Sequence, residues 1–371
     1  MNAFDVIVIG AGINGCSLAY VLKSKGQKVL VLEKEDIASG GSGAAGAFIN
    51  PKISKSGPLK ELIEKAYLFA LPFYEEHFAS FTTSAPLLHI AKYEDDNEKV
   101  EYFNKHTSLE IQKTPKKLSG MLNQHAKNFS SAYITRSAIV EAKEICETML
   151  KDVSYEKVDV VKPEYKDGLW HIQDYSAKKL VLCTGGEEEI VKEPYIKLRR
   201  IYGQRCEVTS DTKMPASIHH EVSVSVTKKN GRIAIGASHY LDKDEMPSKE
   251  EGEVELLALA QKSVKLDNVS IVDSFVGMRS GSNDYLPLLG AIVDSSRSIS
   301  NHPEFLKGSK EAELSYHPEL YMINGAGGYG FVLAPYLSKL LAEYLVENKE
   351  LPAFLEPERF FYRWAKKEAS L

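Results

Sequence analysis

Four cysteines are few for 371 residues, and Cys16, Cys146, Cys183 and Cys206 lie far apart with no Cys-x-x-Cys pair among them. Neither a disulfide framework nor a cysteine zinc site is expected, and buried, inert thiols are the simple reading. No run of about 18 consecutive apolar residues occurs. The apolar stretch at 6–9 is short and has no basic leader, so no membrane span is expected and a cytoplasmic location is. An excess of positive charge is also missing. The formal net charge is -5, which removes a global electrostatic attraction to nucleic acid but leaves room for a local basic patch. Repeats and low-complexity segments are absent. What is present is an ordinary globular composition, 43% hydrophobic and 26% charged, sufficient for a full core and two domains.

Apolar runs of strand length at 4–9 and 28–33 flank a helical stretch at 13–25, which is a βαβ unit. Helical spacing recurs over 58–78, where Pro72 is expected to kink or divide the helix. The polar, charge-rich segment 93–117 reads as a surface excursion. A helix is expected over 137–149 with Ser137 as N-cap, then strands at 156–161, 169–173 and 179–183. Short alternating strands follow at 204–209, 220–227, 232–237 and 270–276, interrupted by one helix at 249–265. A strand at 320–324, a glycine-rich stretch and a helix from 332 to 347 close the pattern.

Between the first strand and helix lies Gly10-Ala11-Gly12-Ile13-Asn14-Gly15, and Glu33 ends the second strand. In that context the glycines have distinct tasks. Gly10 permits a tight turn, Gly12 lets a pyrophosphate approach the backbone, and Gly15 allows helix and strand to pack closely. The helix N-terminus favours phosphate charge, while Glu33 suits ribose hydroxyls and repels a 2′-phosphate. Lys34 follows it. The loop Ser39, Gly40, Gly41, Ser42, Gly43, Ala44, Ala45 and Gly46 is built of small residues, so a flat flavin can lie against it. A ligand that orders the loop offsets its conformational entropy, although a flexible linker would have the same composition.

These features, with Thr184, Gly185 and Gly186 at a strand end, the Gly277-Met278-Arg279 triplet, and the closing 324–335 stretch, resemble the D-amino-acid oxidase, glycine oxidase and sarcosine oxidase family. The resemblance spans nearly the whole chain. It implies an α/β protein with a Rossmann-like FAD-binding domain and a second, mainly antiparallel β-sheet substrate domain. The former is assigned to 1–85, 136–200 and 277–371, the latter to 86–135 and 201–276. The implied cofactor is FAD, bound non-covalently. The motifs at 48–51, 201–204 and 235–238 resemble the flavin module of the bifunctional enzymes that mature the 5-methylaminomethyl group of tRNA wobble uridine. The chain starts at the fingerprint, so the fused methyltransferase half is not expected.

The resemblance assigns Arg279 to a substrate carboxylate, a task suited to a guanidinium fork. Gly325, Gly327, Gly328 and Gly330, just before a helix, could stabilise negative charge on reduced flavin. Tyr329, Tyr202, His239 and Tyr240 are candidates for the substrate pocket, each with plain packing as the alternative. No metal is expected, since His219 and His220 alternate along a strand with no partner at ligand spacing. Arg199, Arg200 and Arg205 form a local basic cluster, which either meets an RNA backbone or is a solvated face. The expected reaction is oxidation of a carbon–nitrogen bond in a glycine-like secondary amine, the carboxymethylaminomethyl group of tRNA wobble uridine. The alternative is a free glycine, sarcosine or D-amino acid. The motifs encode neither the electron acceptor nor an oligomeric state.

Overall fold

A computed structural model describes residues 2–186, 190–241 and 248–368. The strand Asn2–Ile9 pairs in parallel with Val29–Glu33 on one side and Tyr175–Leu182 on the other. Ser154–Lys157 and Tyr316–Asn324 extend the sheet in parallel, and Leu288–Val293 closes its edge antiparallel. Alternation along the two N-terminal strands feeds two cores. Val6, Val8, Val29 and Val31 pack beneath the helices Ile13–Ser24, Ala142–Leu150 and Gly330–Glu347. Ile7, Ile9, Leu30 and Leu32 face the opposite layer, where Phe361 and Ala365 of the helix Glu358–Glu368 are buried. A sheet covered on both faces explains why these strands read as continuous apolar runs.

The second sheet is mainly antiparallel and built on the long pair Leu198–Thr209 and Ser270–Ser282. It continues through Ile233–Gly236, Ser223–Val224, Ser217–His219, Thr82–Ile90, Ser131–Val140 and Phe48–Ile49. The division into cofactor and substrate domains remains our proposal. Each of its four internal boundaries falls inside a strand of this sheet, Thr82–Ile90, Ser131–Val140, Leu198–Thr209 or Ser270–Ser282, so both units share it.

Several local expectations need correction. Ser137 does not cap a helix: it lies in Ser131–Val140, where its hydroxyl donates to the Ala85 carbonyl at 2.7 Å, and the helix begins at Ala142. Cross-strand pairing with Thr82–Ile90, a strand not expected from the sequence, outweighs the local capping signal. Pro72 does not divide Pro58–His77; Leu68, whose carbonyl loses its amide partner there, is exposed to water. The 93–117 excursion contains the helix Asn97–His106, anchored by buried Val100 and Phe103. No helix among the described residues is long and apolar enough to cross a membrane.

Candidate active site

The carboxyl ends of Asn2–Ile9, Val29–Glu33 and Tyr175–Leu182 open onto a cavity of about 1330 Å³ that extends to the second sheet. This is the crevice where open α/β sheets accept dinucleotides. Gly10 has φ +106°, and a Cβ there would stand 2.5 Å from the Cys183 carbonyl oxygen. The turn therefore demands glycine twice over, for conformation and for space. At Gly15 a Cβ would stand 1.9 Å from the Gly10 carbonyl oxygen, so this residue closes the helix onto its own turn. Glu33 Oε2 accepts the Ala11 amide at 2.8 Å and Oε1 accepts that of Glu35 at 3.1 Å, which fixes the carboxylate at the cavity wall. Ser42 Oγ accepts the Ile13 amide at 2.9 Å and joins the small-residue loop to the helix start.

That loop packs against the second sheet with no space to spare. A Cβ at Gly41 would come within 2.3 Å of the Met278 carbonyl oxygen, and one at Gly277 within 2.7 Å of the Ala44 Cβ. The floor so formed suits a flat ring. Residues 158–161, leaving the Ser154–Lys157 strand, wall the cavity beside Glu33, and the Val158 amide donates to the Glu33 carbonyl at 2.8 Å. The sequence reading took this wall for more strand; its apolar Val158 and Val160 next to an acidic strand end were the available signal. Asn14 also lines the cavity, and its buried Oδ1 has no hydrogen-bond partner. Buried acceptors without partners are uncommon, so this one fits a donor brought by a bound molecule. Residues and space together fit the expected dinucleotide.

Every glycine-motif, loop and strand-end residue expected at the cofactor lines this cavity except Ala11, Gly15, Gly43 and Gly325. Gly325 (φ +73°) instead turns the chain after Tyr316–Asn324, its amide donating to Asn324 Oδ1 at 2.8 Å. Helix Gly330–Glu347 starts two residues earlier than expected, and its N-terminus has neither a side-chain cap nor an acidic residue in its first turn. The positive end of its dipole faces the cavity through Gly330.

Arg279 projects from Ser270–Ser282, where Gly203 lies on the paired strand. Its Nη2 donates to the Ser238 carbonyl at 2.7 Å, and Nη1 lies 3.3 Å from His239 Nε2. A Cβ at Gly203 would stand 2.2 Å from Nη2, so glycine makes room for the guanidinium. Among the described residues Arg279 has no carboxylate partner. Burial lowers its pKa, and burial together with the Arg279 charge lowers that of His239. A neutral His239 then accepts from Arg279 at Nε2 while Nδ1 faces the Ala237 carbonyl.

Tyr202, His239 and Tyr329 line the cavity with Arg279. Tyr240 does not: its side chain is buried and its hydroxyl donates to Glu255 Oε2 at 2.6 Å, which makes it a packing residue. The arginine cluster separates as well. Arg205 is buried in an ion pair with Glu207 and packs over Phe275, and Arg199 is held by the Ser282 carbonyl and Tyr285. Arg200 alone of the three is exposed. Residues absent from the sequence-based selection also reach the cavity. Lys52 stands 5.3 Å from the Tyr329 ring centre, and His89 and His219 face inward, burial lowering their pKa values to about 4 and about 3.

Comparison with known proteins agrees with this arrangement. The tRNA 5-methylaminomethyl-2-thiouridine biosynthesis bifunctional protein MnmC of Legionella pneumophila (strain Lens) is 24% identical over 380 residues, covering 95% of this chain and 57% of that protein. MnmC of Campylobacter concisus (strain 13826) is 25% identical, covering 99% and 61%. The chain thus spans less than two thirds of these curated relatives. Among solved structures, glycine oxidase from Geobacillus kaustophilus superposes with a TM-score of 0.75 at 19% identity, covering 97% of this chain and 99% of that one. Iminodiacetate oxidase from Chelativorans sp. BNC1 gives 0.71 at 17% identity, covering 95% and 98%. The family model for FAD dependent oxidoreductases matches residues 5–344. With a dinucleotide cradle at one end of the cavity and that match over most of its length, the chain belongs to the FAD-dependent oxidoreductase family, and its cofactor is non-covalently held FAD.

Proposed function

We propose that this oxidoreductase acts on the carbon–nitrogen bond of a glycine-like secondary amine, the carboxymethylaminomethyl group of tRNA wobble uridine. The observation that carries the reading is Arg279: a half-buried guanidinium in the cavity wall, tied to a carbonyl and a neutral imidazole, with no carboxylate of the described chain to neutralise it. A desolvated cation of this kind favours an anionic ligand, and its fork suits a carboxylate. FAD, when bound, supplies the two-electron oxidation. Arg279 holds the carboxylate end of the substrate, which fixes the reacting carbon at one distance from the cofactor bed. His239 orients Arg279. The turn at 327–330 and the helix behind it present amides to negative charge developing on the cofactor side.

The tRNA-borne form of the substrate draws support from the MnmC relatives and from lysines in the cavity wall. Lys52, Lys92 and Lys99 line the cavity, with Lys99 paired to Asp96 at 2.6 Å and Lys92 standing 3.8 Å from Glu221 Oε2. The fold shared with glycine oxidase favours free glycine as the second reading. Mass spectrometry of wobble uridine, before and after incubation with tRNA carrying the carboxymethylaminomethyl group, separates the two. Loss of that group, with turnover falling steeply as salt rises, is expected. If the nucleoside persists while glycine, sarcosine or a D-amino acid reduces the flavin quickly, the free amino acid is the substrate.

A further inference from the structure

Outside the carboxylate and cofactor sites, His220 is a buried group that is costly to leave unpaired. It is 7% exposed, and neither ring nitrogen has a well-formed hydrogen bond. Native proteins rarely leave both nitrogens of a buried imidazole without partners. Its surroundings offer a reason. His125, which begins the turn Ala126–Asn128, brings its ring centre to 5.4 Å from that of His220, and its Nε2 lies 3.2 Å from Glu221 Oε1. The ligand atoms of His125, His220 and Glu221 all lie within 4.8 Å of one another.

We propose that His125, His220 and Glu221 form a site for a divalent transition ion of the zinc class, at the junction of the 91–130 connection and the end of the strand Ser217–His219. Two imidazoles and one carboxylate, with a fourth position open to water, are a donor set that zinc accepts readily. Ligands on a tetrahedral zinc stand roughly 3.4 Å apart, given bonds of about 2.1 Å. The His125–Glu221 edge already meets this distance, and rotation of the exposed His125 ring can shorten the His125–His220 edge. The carbonyls of Ile90 and Ala91 lie beside the His220 ring and suit its N–H, which turns the other nitrogen toward the ion.

Lys92 is the cation that the ion must displace, since it lies 3.8 Å from Glu221 Oε2 and donates to the Glu221 carbonyl at 3.3 Å. A divalent charge bound directly to the carboxylate outweighs one flexible ammonium. The ion would then clip the 91–130 connection to the strand Ser217–His219. Because His220 and Lys92 also line the active cavity, the clip and the cavity share a wall. A similar-looking cluster, Glu193, Asp294 and His317, is already satisfied. Glu193 holds His317 at 2.6 Å and accepts the Ser295 amide, and Asp294 caps Arg297.

The test uses FAD-loaded protein stripped with a chelator and titrated with Zn²⁺ by calorimetry at pH 7.5. One site of micromolar or tighter affinity is expected, together with a higher Tm and a zinc-edge absorption spectrum of imidazole and oxygen ligands. His125→Ala, an exposed position that should not disturb folding, should weaken binding at least about tenfold and leave the flavin spectrum unchanged. Glu221→Gln should weaken it as well. Equal binding by wild type and His125→Ala, or no site of micromolar affinity in the wild type, would overturn the proposal.

Discussion

A guanidinium that lacks a carboxylate partner is costly to bury, and Arg279 keeps its place through two neutral acceptors. The same two contacts leave its net charge free for a ligand. Arg279→Lys keeps the charge but loses the fork, and it cannot serve Ser238 and a carboxylate with one planar group. The expected loss in kcat/KM is on the order of 2 to 4 kcal/mol, roughly 30- to 1000-fold. FAD content should not change. Steady-state kinetics beside a flavin absorbance measurement checks both statements, and an unchanged kcat/KM would remove Arg279 from the substrate site. Sequence alone singled out this residue through its resemblance to a family triplet. It could not identify His239 as the group that orients Arg279, because that contact depends on how the chain after Ile233–Gly236 approaches the neighbouring strand.

At the scale of elements, two glycines separate cofactor binding from substrate binding. Gly41 meets backbone, the Met278 carbonyl at 2.3 Å, and backbone cannot swing aside. Gly203 meets the Arg279 guanidinium at 2.2 Å, the far end of a long side chain, with the Ser238 carbonyl next at 2.8 Å. Gly41→Ala should therefore push the small-residue loop off the second sheet and reduce FAD content and Tm together. Gly203→Ala should displace Arg279, raising KM for the amine substrate while FAD stays bound. Equal FAD loss in both variants would show that loop and arginine are not separable. The N-terminal βαβ unit was legible because strand, turn and helix signals coincide within a short span. The wall at 158–161 was not, since it is defined by its approach to Glu33 across the sheet and carries no local signature.

For the whole molecule, what the sequence concealed was the second sheet. Thr82–Ile90 and Ser131–Val140 pair with each other across more than forty residues of chain, and that pairing overrode the capping signal of Ser137. It also carries His89 to the cavity, where the parallel pairing of Ser217–His219 with Thr82–Ile90 sets His219 opposite it. Burial lowers both imidazoles, to about 4 and about 3, against an ordinary value of 6.5. In the unfolded chain they take up protons as the pH falls through 6.5, whereas in the fold they remain neutral. Over that interval the unfolded state binds more protons, so stability falls with falling pH, by up to about 1.4 kcal/mol per pH unit for each fully desolvated group. The window from pH 6.5 down to about 5 separates the buried imidazoles from most carboxylates, which titrate lower. Denaturant unfolding of the FAD-loaded protein across that window should give a slope to which His89 and His219 contribute up to two protons, with His220 and His239, also lowered by burial, adding to it. His219→Gln should reduce the slope by about one proton while keeping an amide to meet Asn50, which lies 3.3 Å from the imidazole now. An unaltered slope in His219→Gln would mean that His219 already protonates inside the fold, and the cavity would then be far wetter than its packing indicates.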